Sequence, residues 1–135
     1  MSLVPGLKGS ASVRVIHENT AAVVGSGSLE VFATPMMIAL MENAALNTVK
    51  PFLAEGEATV GTEISVTHDA PTPIGETVTA EAELIAVDRR KLQFQVQARV
   101  GDEIIGKGTH TRFIINEERF LQKALAKSSS RPADT

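Results

Sequence analysis

The clearest pattern in the chain is an alternation in which Leu92, Phe94, Val96, Ala98 and Val100 are apolar while Gln93, Gln95, Gln97 and Arg99 between them are polar. A period of two belongs to a strand with one buried and one wet face. Three other segments read as strands. Thr59 to His68 puts Val60, Thr62, Ile64, Val66 and His68 on one face; Thr77 to Val87 sets Val78, Ala80, Ala82 and Leu84 against Thr79, Glu81 and Glu83; Glu103 to Ile115 closes the set. Pro71, Pro73 and Gly75, then Asp88 to Arg90, then Gly101-Asp102 supply the turns. The gaps are too short for helices, which predicts a meander of antiparallel strands.

The period changes over Thr34 to Val49. Thr34-Pro35 is a helix start, with the threonine predicted to cap, and Pro51 ends the helix. Asn43, Asn47 and Lys50 make a narrow polar stripe, and nearly every other position is apolar. A helix this apolar is one that other structure wraps. Upstream, Val13, Val15, Ile16, Val23 and Val24 predict extended structure over Ser12 to Val24, broken near Glu18 and Asn19, with a flexible Gly25-Ser26-Gly27-Ser28 loop behind it. The first ten residues, with Pro5, Gly6 and Gly9, read as a loose lead-in. Glu117 to about Lys127 is a short amphipathic helix, and Ser128 to Thr135 a mobile polar tail. The expectation is one α+β domain over residues 1–135, with its ordered core at about 10–127 and a curved antiparallel sheet around one long central helix. Free sheet edges and a partly covered helix predict a dimer.

Composition removes many kinds of chemistry. At 135 residues, with 43% hydrophobic and 21% charged, the chain can bury its own core. It has no cysteine, which excludes thiolate nucleophiles, zinc-cysteine sites and iron-sulfur clusters. With no tryptophan or tyrosine and a net charge of −3, nucleic acid is not the expected partner. The longest apolar uncharged run, Val31 to Met41, is well short of the ~20 residues that span a bilayer. No signal-peptide pattern precedes it, so a soluble cytoplasmic protein with no membrane partner is expected.

Three polar residues then stand out. Glu42 is the only charged residue between Thr34 and Val49, and a carboxylate amid apolar neighbours needs a partner or a route to water. His68 shares strand parity with Ile64 and Val66 and ends its strand before the Pro-rich turn; such a histidine is either a hydrogen-bonded core residue or a proton carrier. If Glu42 and His68 meet across the helix and sheet, each explains the other's burial, and the pair suits general-base or nucleophilic work. Thr34 caps the helix or contacts substrate there, where free N–H groups favour an oxygen gaining charge.

Val31-Phe32-Ala33-Thr34, Met37, Leu40-Met41-Glu42, Gly61-Thr62, Ser65-Val66-Thr67-His68, Ala70-Pro71-Thr72-Pro73 and Gly108-Thr109-His110 with Arg112 together resemble the fluoroacetyl-CoA thioesterase-like branch of the hotdog-fold acyl-CoA thioesterases. The resemblance covers roughly Val13 to Asn116. It implies a hotdog fold, a homodimer that could pair into a tetramer, and sites at the subunit interface. It also implies catalytic roles for Thr34, Glu42 and His68 and substrate binding by Gly61 of the neighbouring subunit, Phe32 and Arg112. The family's lid segment is longer and carries phenylalanine, whereas Gly25 to Glu30 is short and has no aromatic residue. The resemblance therefore implies hydrolysis of small or medium acyl-CoA thioesters, in a detoxifying or housekeeping role, rather than fluoroacetyl selectivity. Glu42 would be nucleophile or base, with no cofactor and no metal, CoA being part of the substrate. Arg89, Arg90, Lys91, Lys107 and Arg112 are the candidate cations for CoA phosphates, although the first three read more readily as a solvated hairpin turn. The alternatives are a non-catalytic acyl-CoA binder or sensor and a hotdog enoyl-CoA hydratase or dehydratase; the latter's acidic residue and histidine before the helix are missing.

Overall fold

A computed structural model describes residues 2–132. Its centre is α2 (Thr34–Val49), which buries Met37, Leu40, Met41, Ala44, Ala45, Thr48 and Val49. Around it curls one antiparallel sheet of β1 (Lys8–Arg14), β2 (Glu57–His68), β3 (Thr77–Asp88), β4 (Lys91–Val100) and β5 (Glu103–Asn116). Val78, Ala80, Ala82, Leu84, Leu92, Phe94, Val96 and Ala98 project from β3 and β4 into the core that α2 closes. The alternation thus marks which face meets the helix. The expected α+β wrap is present, and no helix among the described residues is long and apolar enough to cross a membrane.

The strand order differs from a meander. It runs β1-β3-β4-β5-β2, so β2 pairs with β5 and never with β3. Eight residues separate β2 from β3, too many for a tight hairpin, and they cross past the start of α2. There Phe32 N–H donates to the Thr72 carbonyl and Val31 bridges Pro73. Strand β2 becomes a free edge that α2 barely reaches, and its Ile64 and Val66 are only half-buried.

The N-terminal boundaries also shift. Strand β1 begins at Lys8, inside the supposed lead-in, and a Cβ on Gly9 would lie 2.7 Å from the Thr48 backbone nitrogen, so that glycine serves close packing. Val23 and Val24 are not extended; they end α1 (Ala21–Val24), whose cap Gly25 has φ 94°, in the left-handed region that favours glycine. At the other end α3 (Glu117–Ser130) runs past the predicted boundary at Lys127. The tail residues 133–135 lie outside the described residues.

Gly9→Ala should push β1 off α2 and cost about 1–3 kcal/mol, the usual range for overpacking. Thermal denaturation beside exposed Ser10→Ala checks this; equal melting temperatures would contradict it.

Candidate active site

At the start of α2, Thr34 is the first helical residue and the N-cap is Ala33, which makes no side-chain cap bond. The Thr34 hydroxyl is instead 2.6 Å from His68 Nδ1 on the end of β2. This corrects the predicted cap, and Pro35, which has no N–H to satisfy, reduces the need for one. Met36 and Met37 N–H both donate to the Ala33 carbonyl. Thr34 N–H makes no hydrogen bond among the described residues, leaving one amide donor free at a helix N-terminus. His68 Nε2 is buried and equally without a partner. Burial lowers the His68 pKa, with Asp69 and the Ala70 backbone acting in the opposite direction. A largely neutral ring with one free nitrogen can accept a proton, provided Nδ1–H donates to Thr34 Oγ1.

Phe32, buried, lines a cleft of about 300 Å³ together with Thr34, His68, Val31, Ala21 and Pro71. A larger groove of about 890 Å³ crosses the opposite face of the sheet, between Lys8, Ser10, Thr67 and Glu81, away from Thr34 and Glu42. Lys107 lies on that outer groove.

Glu42 lies two helical turns along. Eight residues at about 1.5 Å each set it roughly 12 Å down the axis from Thr34. Its side chain, 41% exposed, has Oε2 3.7 Å from Arg112 Nη1. A Cβ on Gly61 would fall 2.6 Å from that carboxylate oxygen, so a glycine is what lets Glu42 lie on β2. The strand's predicted parity fails here: the register shifts between Gly61 and Glu63, so Thr59 and Gly61 face inward with Ile64, Val66 and His68, and Thr62 is exposed. Within one chain the structure therefore brings Glu42 to Gly61 and Arg112, and Thr34 to His68, but it does not bring Glu42 to His68.

Arg112 is buried, its side chain only 8% exposed. Its Nε donates to Thr59 Oγ1 and its Nη2 to the Thr59 carbonyl, each at 2.9 Å. Nη1 is 3.2 Å from His110 Nε2. Burial lowers the Arg112 pKa and Glu42 opposes that, but a guanidinium stays charged. Fixed in this way, Arg112 faces Glu42 and is turned away from any phosphate in solvent. Among the other predicted cations, Arg90 lies 3.6 Å from Glu57, in the β3–β4 hairpin where Arg89 adopts φ 58°. Thr59 and His110 were not singled out as site residues from the sequence; the Gly108-Thr109-His110 run, with Arg112 two residues on, was the available signal. No group of three or more His, Cys, Asp or Glu that could hold a metal occurs among the described residues.

The chain is similar to known thioesterases. A profile of the fluoroacetyl-CoA-specific thioesterase family matches residues 15–118. The fluoroacetyl-CoA thioesterase of Streptantibioticus cattleyicolor is 48% identical over 99 residues, covering 73% of this chain and 71% of that protein. A solved variant of the fluoroacetyl-CoA-specific thioesterase in complex with fluoroacetate and CoA superposes with a TM-score of 0.82 at 39% identity, covering 87% of this chain and 99% of the other. A hot-dog-like protein from Thermanaerovibrio acidaminovorans, 19% identical with 94% of each chain covered, has a TM-score of 0.84 and shares the fold alone. The sheet around α2 is a hotdog fold.

Half-buried His68 and buried His110 predict acid sensitivity. Burial is the leading cause of the lowered pKa at both His68 and His110; at His110 the Glu63 carbonyl and Glu42 raise it while Arg112 lowers it further. The unfolded chain therefore takes up protons below about pH 6.5 that the folded chain accepts only at lower pH. Their contribution is complete above that value and is lost as pH falls towards the folded pKa values. The urea midpoint should drop between about pH 7.5 and about pH 5, and drop less in His110→Gln. A flat or rising midpoint would contradict the assignment.

Proposed function

The chain belongs to the fluoroacetyl-CoA-specific thioesterase family, and from that membership we infer that it hydrolyses acyl-CoA thioesters to a free carboxylic acid and CoA. One observation carries the mechanism: the reactive groups sit at two places on the same helix, Thr34–His68 at its start and Glu42–Gly61–Arg112 two turns on, near its middle. A single site needs both groups, and a second copy supplies the missing half. Antiparallel pairing of two β2 edges with the two-fold between Ile64 and Ser65 sets Gly61 opposite the partner's His68, and Glu42 rides on Gly61. Such a homodimer also covers the half-buried Ile64 and Val66.

In this arrangement the free Thr34 N–H faces the thioester oxygen and stabilises the charge that develops there, a role typically worth ~3–4 kcal/mol per donor. Held by Arg112 against Gly61, Glu42 either draws a proton from the water that attacks the carbonyl, or attacks the carbonyl itself to give an acyl anhydride that water then cleaves to the free acid. Neutral His68 takes up or returns protons through Nε2. The CoA thiolate leaves readily. A cleft of about 300 Å³ at Phe32, Val31 and His68 supports a small acyl group. Arg89 and Lys91, on the hairpin whose Lys91 pairs with Phe113 beside Arg112, are suited to CoA phosphates. An acyl-CoA substrate supports a cytoplasmic location.

Free CoA released from an acyl-CoA panel tests the chemistry. The wild type should turn over short acyl thioesters, and Glu42→Gln and His68→Ala should each lose about 10²–10⁴-fold in kcat. No turnover by the wild type on any thioester would reject the hydrolase. Mixing the two variants tests the shared site. Random re-pairing leaves half the dimers mixed, each with one intact site, so activity should recover to about a quarter of wild type. A site within one chain would recover nothing.

A further inference from the structure

Arg112 Nη1 lies between two acceptors, Glu42 Oε2 and His110 Nε2, while its Nε and Nη2 are both spent on Thr59. Since a guanidinium has only donors, His110 Nε2 must carry a lone pair. The proton then sits on Nδ1, 2.8 Å from the Glu63 carbonyl, at the point where the β2 register shifts. His110 is 2% exposed, and its ring stacks on Phe94 with centroids 6.1 Å apart. An imidazolium would set N–H against N–H and one cation against another, so only the neutral Nδ1–H form fits.

We propose that His110 is a positioning residue, accepting from Arg112 through Nε2 and so aiming the guanidinium that holds the Glu42 carboxylate over Gly61. The proposal rests on the hydrolase reading, in which Glu42 is the reacting carboxylate. His110 touches neither substrate nor reacting atoms; it acts through Arg112. Without that acceptor, Nη1 has one fixed partner fewer, and the carboxylate loses a defined aim at the thioester.

Two substitutions separate this role from support of the neighbouring bulge. His110→Asn keeps a donor near Nδ1 for the Glu63 carbonyl but is too short to reach Arg112. His110→Gln places an amide oxygen where Nε2 was. The expectation is that Asn lowers kcat about ten- to a hundred-fold, the range for a hydrogen bond to a charged group, with KM little changed, and that Gln restores most of kcat. Full activity in His110→Asn, or a loss in His110→Gln that Asn does not show, would overturn the proposal. Nitrogen-15 spectra of the wild-type imidazoles provide a readout independent of turnover and of variant folding. A neutral Nδ1–H tautomer for His110 at neutral pH is expected, and an Nε2–H tautomer or an imidazolium would overturn it. A protein that released no CoA but showed the expected tautomer would fail the hydrolase reading and leave the network in place.

Discussion

A sixteen-residue helix with one narrow polar stripe must be covered on nearly every side, and one sheet of five strands cannot do it. Strands β1 and β3 press against α2, β4 touches it less, and β2, at the edge, meets it less still. Met36, Ile38 and Leu46 remain half-buried on the open side. From this shortfall follow the curl of the sheet, the glycines that admit close backbone approach, and a helix face that still carries a carboxylate. A Cβ on Gly106 would lie 2.7 Å from the Met37 sulfur, a measure of how tightly the covered side is packed. The open side is where Glu42 sits.

The polar groups divide along the same line. Arg112 is the costly member, because a buried guanidinium needs nearly all its donors engaged. Thr59, His110 and Glu42 engage them from β2, β5 and α2, which ties an edge strand, its neighbour and the helix into one unit. Thr34 and His68 make a second unit at the helix start, anchored by the loop that crosses under Phe32. Neither unit by itself contains Thr34, Glu42 and His68 together.

The central helix was legible in the sequence residue for residue, because Pro35 and Pro51 bracket it with steric rules that act locally. The alternating strands were legible for a similar reason, and the motif residues pointed to Thr34, Glu42 and His68. Strand order was not, since the pairing of β2 with β5 depends on where an eight-residue connection travels, and that has no local signature. The strand face of Gly61 was missed because a single unpaired residue, Thr62, reverses parity within the strand. His110 entered only as part of the Gly108-Thr109-His110 run, with no role of its own, because the sequence does not disclose that its Nε2 meets a buried arginine.

That extra residue has an evolutionary consequence. A regular β2 would tolerate the same side chains and pair just as well with β5, but it would turn Gly61 outward and put a Cβ-bearing neighbour beneath Glu42. Deleting Thr62 outright would instead leave Gly61 facing inward, because removing the one unpaired residue restores a regular alternation with Thr59, Gly61 and Ile64 on the same face. The length of the strand is therefore free to vary by that one residue, whereas any side chain at position 61 would take away the space in which the Glu42 carboxylate lies.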